Sequence, residues 1–124
     1  MEKKNILILG GEGFIGRNIA EFLSSEKYSC SSVGVEESIF SENRKDELKK
    51  INPYDCKIEN DFDVAIHLID NRAAEGEDFA DAEKKLIENI GLKSKKHLIL
   101  FSSAVIYANP DSEYGKRKIE LERI

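Results

Sequence analysis

Tryptophan is absent from this 124-residue chain, and cysteine, histidine and proline occur only twice each. Cys30 and Cys56 stand far apart with no C-x-x-C spacing, which excludes a disulfide framework or a cysteine-rich zinc module. Both are expected as ordinary buried or half-buried thiols in a reducing compartment. His67 and His97 have no cysteine or carboxylate at ligand spacing, so no metal site is expected and both read as structural. No apolar run approaches 18 residues, the length of a membrane span. "MEKKNILILGG" has a charged start but only four apolar residues in its stretch, too few for a signal peptide. A cytoplasmic protein without membrane contact is expected. Basic excess is lacking too. Lys and Arg total 19 against 24 Asp and Glu, a net charge of −5, which argues against nucleic acid as a partner.

What remains is 40% hydrophobic and 35% charged, enough for one well-solvated domain with a core. Ile6 to Leu9 is a continuous apolar run, the mark of a strand buried on both faces. Gly10, Gly11 and Gly13 follow. Ile15, Ile19, Phe22 and Leu23 then recur at helical spacing, ending near Ser24 or Ser25. A second strand is expected over 30–35. "SENRKDELKK", 41–50, is strongly polar with high helical propensity and reads as a solvated helix. Residues 51–60 are the least readable, Pro53 excluding a helix there. "DVAIHLI", 63–69, is a further buried strand. Phe79, Ala82, Leu86 and Ile90 mark one face of a helix that Gly91 terminates. "HLILF", 97–101, is another strand, and a helix starting near Glu113 runs to the chain end. Strands alternating with helices imply an α/β fold: a doubly wound, Rossmann-like parallel sheet of about five strands.

The glycines satisfy both G-x-G-x-x-G (Gly11, Gly13, Gly16) and G-x-x-G-x-x-G (Gly10, Gly13, Gly16). Such a turn, placed between a strand and a helix, suits a dinucleotide's pyrophosphate. The first glycine permits the turn, Gly13 lets the phosphates approach, and Gly16 lets helix and strand pack closely. A plain strand-to-helix turn needs fewer glycines. An acid about 20 residues on serves the ribose hydroxyls in such folds, and Glu36 and Glu37 lie there. Glu36 favours NAD over NADP by repelling a 2′-phosphate, whereas Arg17 would attract one, so the choice leans to NAD with NADP open.

Tyr114 and Lys118 are four apart on the last helix and share a face. A neighbouring ammonium favours the phenolate of a tyrosine, which otherwise is a poor base at neutral pH. A tyrosine so placed can exchange a hydroxyl proton while a hydride moves to or from a nicotinamide. Ser103 follows the "HLILF" strand, at the carboxyl end where α/β sheets place ligands, and its hydroxyl suits a substrate oxygen. Lys116, Arg117 and Lys118 also form a short basic run of the kind that serves solubility.

Four blocks, "GGEGFIG", "DVAIHL", "FSSAVIY" and "YGKRK", stand in one order along the chain. In this the sequence resembles the N-terminal part of the extended short-chain dehydrogenases/reductases, the NAD-dependent epimerase/dehydratase family. The resemblance implies that Gly10, Gly13, Phe14, Ile15 and Gly16 line the pyrophosphate and that Glu36 holds the adenosine ribose. It places Asp55, after the third strand, at the adenine, and Leu68 and Ile69 against the cofactor. It makes Ser103, Tyr114 and Lys118 the catalytic set. The substrates it implies are nucleotide-activated sugars, modified by epimerisation, dehydration or reduction.

The departures are local. Ile69 and Asp70 stand where the family has small residues, and would crowd the cofactor. Asp55 and Asp63 are so close that the usual third crossover helix is expected to be missing or vestigial. Relative to the family, the chain is expected to be a single truncated NAD(P)-binding domain, residues 1–124, without the C-terminal substrate domain. Cofactor binding without a complete reaction is the expectation. The alternatives are a non-catalytic dinucleotide-binding module and a degenerate scaffold forming a homodimer. The last helix offers Ile119, Leu121 and Ile124 as apolar surface for a second copy.

Overall fold

The computed structural model describes residues 3–11, 13–24, 27–34, 47–59, 61–71, 76–92, 96–101 and 108–123. The elements in chain order are β1 (Lys4–Leu9), α1 (Phe14–Leu23), β2 (Tyr28–Gly34), β3 (Glu47–Lys50), β4 (Val64–His67), α2 (Gly76–Asn89), β5 (His97–Leu100) and α3 (Glu113–Arg123). The strands form one sheet in the order β3-β2-β1-β4-β5, and every neighbouring pair is parallel. This is the doubly wound, Rossmann-like α/β arrangement expected from the alternation of apolar strands and amphipathic helices.

β1 lies at the centre because its apolar run can be buried on both faces. Ile6 and Ile8 point to one side, where Ala20 of α1, Cys30 and Ile66 close over them. Leu7 and Leu9 point to the other, against Val33, Ala65, Leu86 and Ile90. Each such side chain contributes roughly 1.5–3 kcal/mol on burial. The register aligns Leu9 with Val33 on one side and with His67 on the other. The carboxyl ends of β1, β2 and β4 therefore finish level. The strand order reverses between β1 and β4, and ligand crevices in open α/β sheets form beyond such a reversal.

The helix expected over 41–50 is overturned at its C-terminal end. Glu47–Lys50 is an edge strand, with Ser31 to Gly34 aligned on Glu47 to Lys50. Pairing with β2 outweighs the helical propensity of a lysine- and glutamate-rich segment, and lysines suit an edge. Residues 41–46 lie outside the described residues. Among the described residues between β3 and β4 there is no helix. Ile58 and Phe62 of this connection fill the core on the α2 side. Asn89 holds it from the end of α2: its side-chain amide donates to Pro53 O (2.8 Å), and its carbonyl accepts from Ile58 N–H (2.9 Å). Cys30 is buried as expected, but Cys56 is exposed on this connection, contrary to the expectation that both would be covered.

Candidate functional site

The turn after β1 is set by its backbone. Gly10 has φ +89°, a conformation costly for any residue with a Cβ. Its N–H continues the sheet by donating to Val33 O (2.9 Å), and its carbonyl accepts from Gly13 N–H (3.2 Å). A Cβ on Gly16 would lie 2.5 Å from Gly10 O and 2.8 Å from Gly11 Cα, so the start of α1 packs directly on the turn. A Cβ on Gly13 would meet only Gly10 O, at 3.5 Å. Gly13 is the N-cap of α1, without a side-chain capping bond and without an acid in the first turn. The first N–H groups of a helix and its dipole favour an anion, and here no side chain of the cap supplies one.

Beside this turn lies a cavity of about 400 Å³. Gly10, Gly13, Phe14, Ile15 and Gly16 form one wall, Leu68 and Asp70 beyond β4 another, and Phe101 after β5 meets Tyr114 and Lys118 of α3 on the far side. Phe14 and Ile15 are 70% and 54% exposed, apolar surface at the cavity mouth.

α3 is aimed by its cap. The Ser112 hydroxyl donates to Asn109 O (2.8 Å) and accepts from Gly115 N–H (3.0 Å). This sets Tyr114 and Lys118 on the cavity side. Lys118 is only 7% exposed. Its Nζ donates to Phe101 O (2.9 Å) and lies 5.4 Å from the centre of the Tyr114 ring. A buried ammonium needs such an acceptor. The basic run is therefore not a uniform solvated face. Lys116 pairs at the surface with Glu113 (3.7 Å), Lys118 turns inward, and Arg117 makes two bonds to Asp70, Nε to Oδ1 at 2.7 Å and a terminal nitrogen to Oδ2 at 3.0 Å. The hydrogen bond that Arg117 donates to Asp70 is the main cause that holds its guanidinium above the ordinary pKa. Asp70 is thus engaged with α3 while also lining the cavity.

The structure brings Gly10, Gly13, Phe14, Ile15, Gly16, Leu68, Tyr114 and Lys118 together around one space. Ile69 packs against the core on the α2 side, its Cγ1 3.2 Å from where a Cβ on Gly10 would sit. Asp55 is exposed in a turn and does not line the cavity, its carboxylate accepting from the Asn52 side chain (3.0 Å). Glu36 and Ser103 lie outside the described residues.

A second cluster was not read from the sequence. Glu83 of α2 is 1% exposed and His67 at the end of β4 is 2% exposed. Glu83 Oε2 is 2.7 Å from His67 Nε2, and Oε1 accepts from the Tyr54 hydroxyl at 2.6 Å. The other ring nitrogen, His67 Nδ1, accepts from Ile69 N–H (3.2 Å). Burial, and then the carboxylate of Glu83, push the Tyr54 phenol far above its ordinary range. The sequence did carry a signal. Glu83 falls four after Phe79 and three before Leu86, inside the apolar stripe of α2. His67, expected to have no carboxylate partner, does have one, supplied by a different element.

A family model described as the NAD dependent epimerase/dehydratase family matches residues 6–123. Comparison with the curated proteins finds no match. Among solved structures, the chain is similar to the NAD-dependent NDP-hexosamine 5,6-dehydratase TunA of tunicamycin biosynthesis, with TM-score 0.75 and 17% identity over 98% of this chain and 48% of that one. It is similar to the UDP-glucose 4-epimerase of Bifidobacterium longum, solved with NAD+ and UDP, with TM-score 0.72 and 20% identity over 97% and 47% of the two chains. The UDP-N-acetylglucosamine 4-epimerase of Bacillus cereus gives TM-score 0.73 and 17% identity over 98% and 47%. The chain spans about half the length of these structures. With its glycine turn, its parallel sheet and a family match over nearly its whole length, the chain belongs to the NAD-dependent epimerase/dehydratase family.

Proposed function

We propose that this chain binds a nicotinamide dinucleotide in the cavity beside α1, as the cofactor half of an enzyme acting on nucleotide-activated sugars. The observation that carries the reading is the glycine turn. Three features converge there: a turn held by Gly10 at positive φ, a helix start with no side-chain capping bond, and a Gly13 backbone that lines the cavity without a side chain. These fit a pyrophosphate, which needs close backbone approach and N–H donors rather than bulk.

Gly10, Gly13 and the first turn of α1 would hold the phosphates, with Phe14, Ile15 and Leu68 excluding water from the apolar parts. A nicotinamide bound there supplies hydride transfer. Tyr114 is the group that holds or gives a proton at a substrate hydroxyl, with the Lys118 ammonium 5.4 Å from the centre of its ring. Phe101 O fixes the Lys118 ammonium through the 2.9 Å hydrogen bond. Glu36 for the ribose and Ser103 for the substrate oxygen remain part of this reading, on the family resemblance alone. Glu36 leans the choice toward NAD.

The named neighbours act on nucleotide-linked sugars, which supports that substrate class. A second reading is dinucleotide binding without turnover, favoured by the Asp70 carboxylate that lines the cavity.

The test is a fluorescence titration of the folded chain with NADH and with NADPH, alongside a Gly13→Glu variant. Saturable binding lost in that variant is expected, with NADH the tighter ligand. A folded wild-type chain that binds neither nucleotide would refute the reading. Substrate turnover lost on Tyr114→Phe would favour the enzymatic over the binding-only form.

A further inference from the structure

We infer that Glu83 is a positioning residue for the dinucleotide cavity, acting through His67 on the wall formed by Leu68 to Asp70. The inference rests on the binding function proposed above only for its consequence, since the positioning itself can be read without any ligand.

The argument begins with burial. An ionisable side chain at 1% exposure, in the middle of a helix stripe made by Phe79, Leu86 and Ile90, is costly unless every lone pair that matters has a donor. A leucine or methionine would suit the stripe better. Glu83 instead takes one donor on each oxygen, from Tyr54 and from His67.

Its effect on His67 is specific. A neutral imidazole carries one N–H and one acceptor nitrogen, and which is which follows from the partners. The carboxylate at 2.7 Å from Nε2 draws the proton to Nε2. Nδ1 is then bare and accepts the Ile69 N–H at 3.2 Å. Without the carboxylate, the proton is free to occupy Nδ1, where it would face the Ile69 N–H donor to donor. The hydrogen bond that holds the Ile69 amide just after β4 would be lost.

That stretch carries the cavity wall. Leu68 and Asp70 flank Ile69 and both line the cavity. Leu68 N–H is tied to Leu9 O (2.9 Å), so the wall sits directly beside the Gly10 turn. Asp70 then extends the chain of bonds to Arg117 and so to α3, between Tyr114 and Lys118. One connected path runs from Tyr54 and Glu83 through His67 and the Ile69 amide to the face that holds the tyrosine and lysine. Glu83 touches no ligand in this scheme, and its role is to select the tautomer that keeps the wall in place.

The experiment uses the ¹⁵N-labelled chain. Long-range ¹H–¹⁵N spectra of the imidazole report the tautomer of His67 directly. The expected result in the wild type is a proton on Nε2 at neutral pH, and a proton on Nδ1 would overturn the inference. Glu83→Met is expected to move the proton toward Nδ1, shift the amide signals of Leu68, Ile69 and Asp70, and weaken NADH binding about tenfold. Glu83→Gln, which keeps an acceptor for Nε2–H, is expected to restore the tautomer and to bind within about threefold of wild type. Equal weakening by both variants, or unmoved wall amides in Glu83→Met, would overturn the positioning role. If Glu83→Met does not fold, the wild-type tautomer and the Glu83→Gln affinity decide. If the wild type binds no dinucleotide at all, the binding reading fails on its own, while tautomer and wall amides still decide the positioning.

Discussion

Single residues carry most of what is distinctive here. Gly16 is fixed by sterics: its missing Cβ is what lets α1 sit on the Gly10 carbonyl. Gly16→Ala is expected to cost about 1–3 kcal/mol, the range for overpacking a tight contact, read as a fall in the urea midpoint. Gly13→Glu should cost little stability, because a Cβ there would meet only Gly10 O, at an ordinary contact distance of 3.5 Å. The two glycines thus separate folding from binding, in keeping with the distinct parts the motif gives them. Tyr54 gives a pH dependence. Burial and Glu83 raise its phenol above the ordinary value of 10.0, so the folded chain keeps a proton that the unfolded chain sheds. Stability is then fully present below pH 10.0 and falls as pH rises beyond it. Melting curves between neutral and strongly alkaline pH are expected to show a steeper alkaline loss in wild type than in Tyr54→Phe. At neutral pH that variant should be less stable by about 1–3 kcal/mol, since Glu83 loses a donor. The part played by Tyr54 was not legible from the sequence. Tyr54 lies in the least readable stretch, and its partner is 29 residues away.

Elements were legible where the hydrophobic period is strong and illegible where tertiary pairing decides. β1, β4 and β5 declare themselves by apolar runs, and α1 and α2 by their stripes. β3 does not: four residues rich in charge become a strand because β2 offers an edge, a fact with no local trace. The basic run at the start of α3 was ambiguous for the same reason. Its three members meet three different partners, only one of them on α3 itself. The Asp70–Arg117 pair belongs to this scale, because it joins the end of β4 to α3. Asp70 was expected to crowd the cofactor by its charge, and Arg117 instead occupies both of its oxygens. The two side chains are 20% and 14% exposed, so solvent screens them only in part. Removing either partner alone, as Asp70→Asn or Arg117→Leu, is expected to cost about 1–3 kcal/mol, and the double variant less than the sum. Denaturant unfolding of the four proteins in the cycle checks this, and additive losses would show that the pair is not coupled.

For the whole molecule, the sheet order and its reversal between β1 and β4 place the glycine turn, Leu68, Asp70 and α3 around one space. Strand and helix alternation was enough to foresee this fold class, and four ordered sequence blocks were enough to foresee the family. The apolar residues offered for a second copy are largely spent within the chain: Leu121 is buried, Ile119 is half-buried, and Ile124 lies outside the described residues. The outer strand β5 leaves Ile99 46% exposed, beside the buried Ile66 to which it is aligned. Ile99→Lys is therefore expected to fold with the wild-type melting temperature. The central claim is that a dinucleotide sits with its pyrophosphate on the Gly10–Gly16 turn and reaches toward Tyr114 and Lys118. The most direct measurement is a set of amide ¹H–¹⁵N spectra recorded as NAD+ is added to the labelled chain. The expected result is saturable movement of the Gly10, Gly13, Phe14, Ile15 and Gly16 amides together with those of Leu68 and Lys118. A silent spectrum, or movement confined to residues away from this cavity, would contradict it.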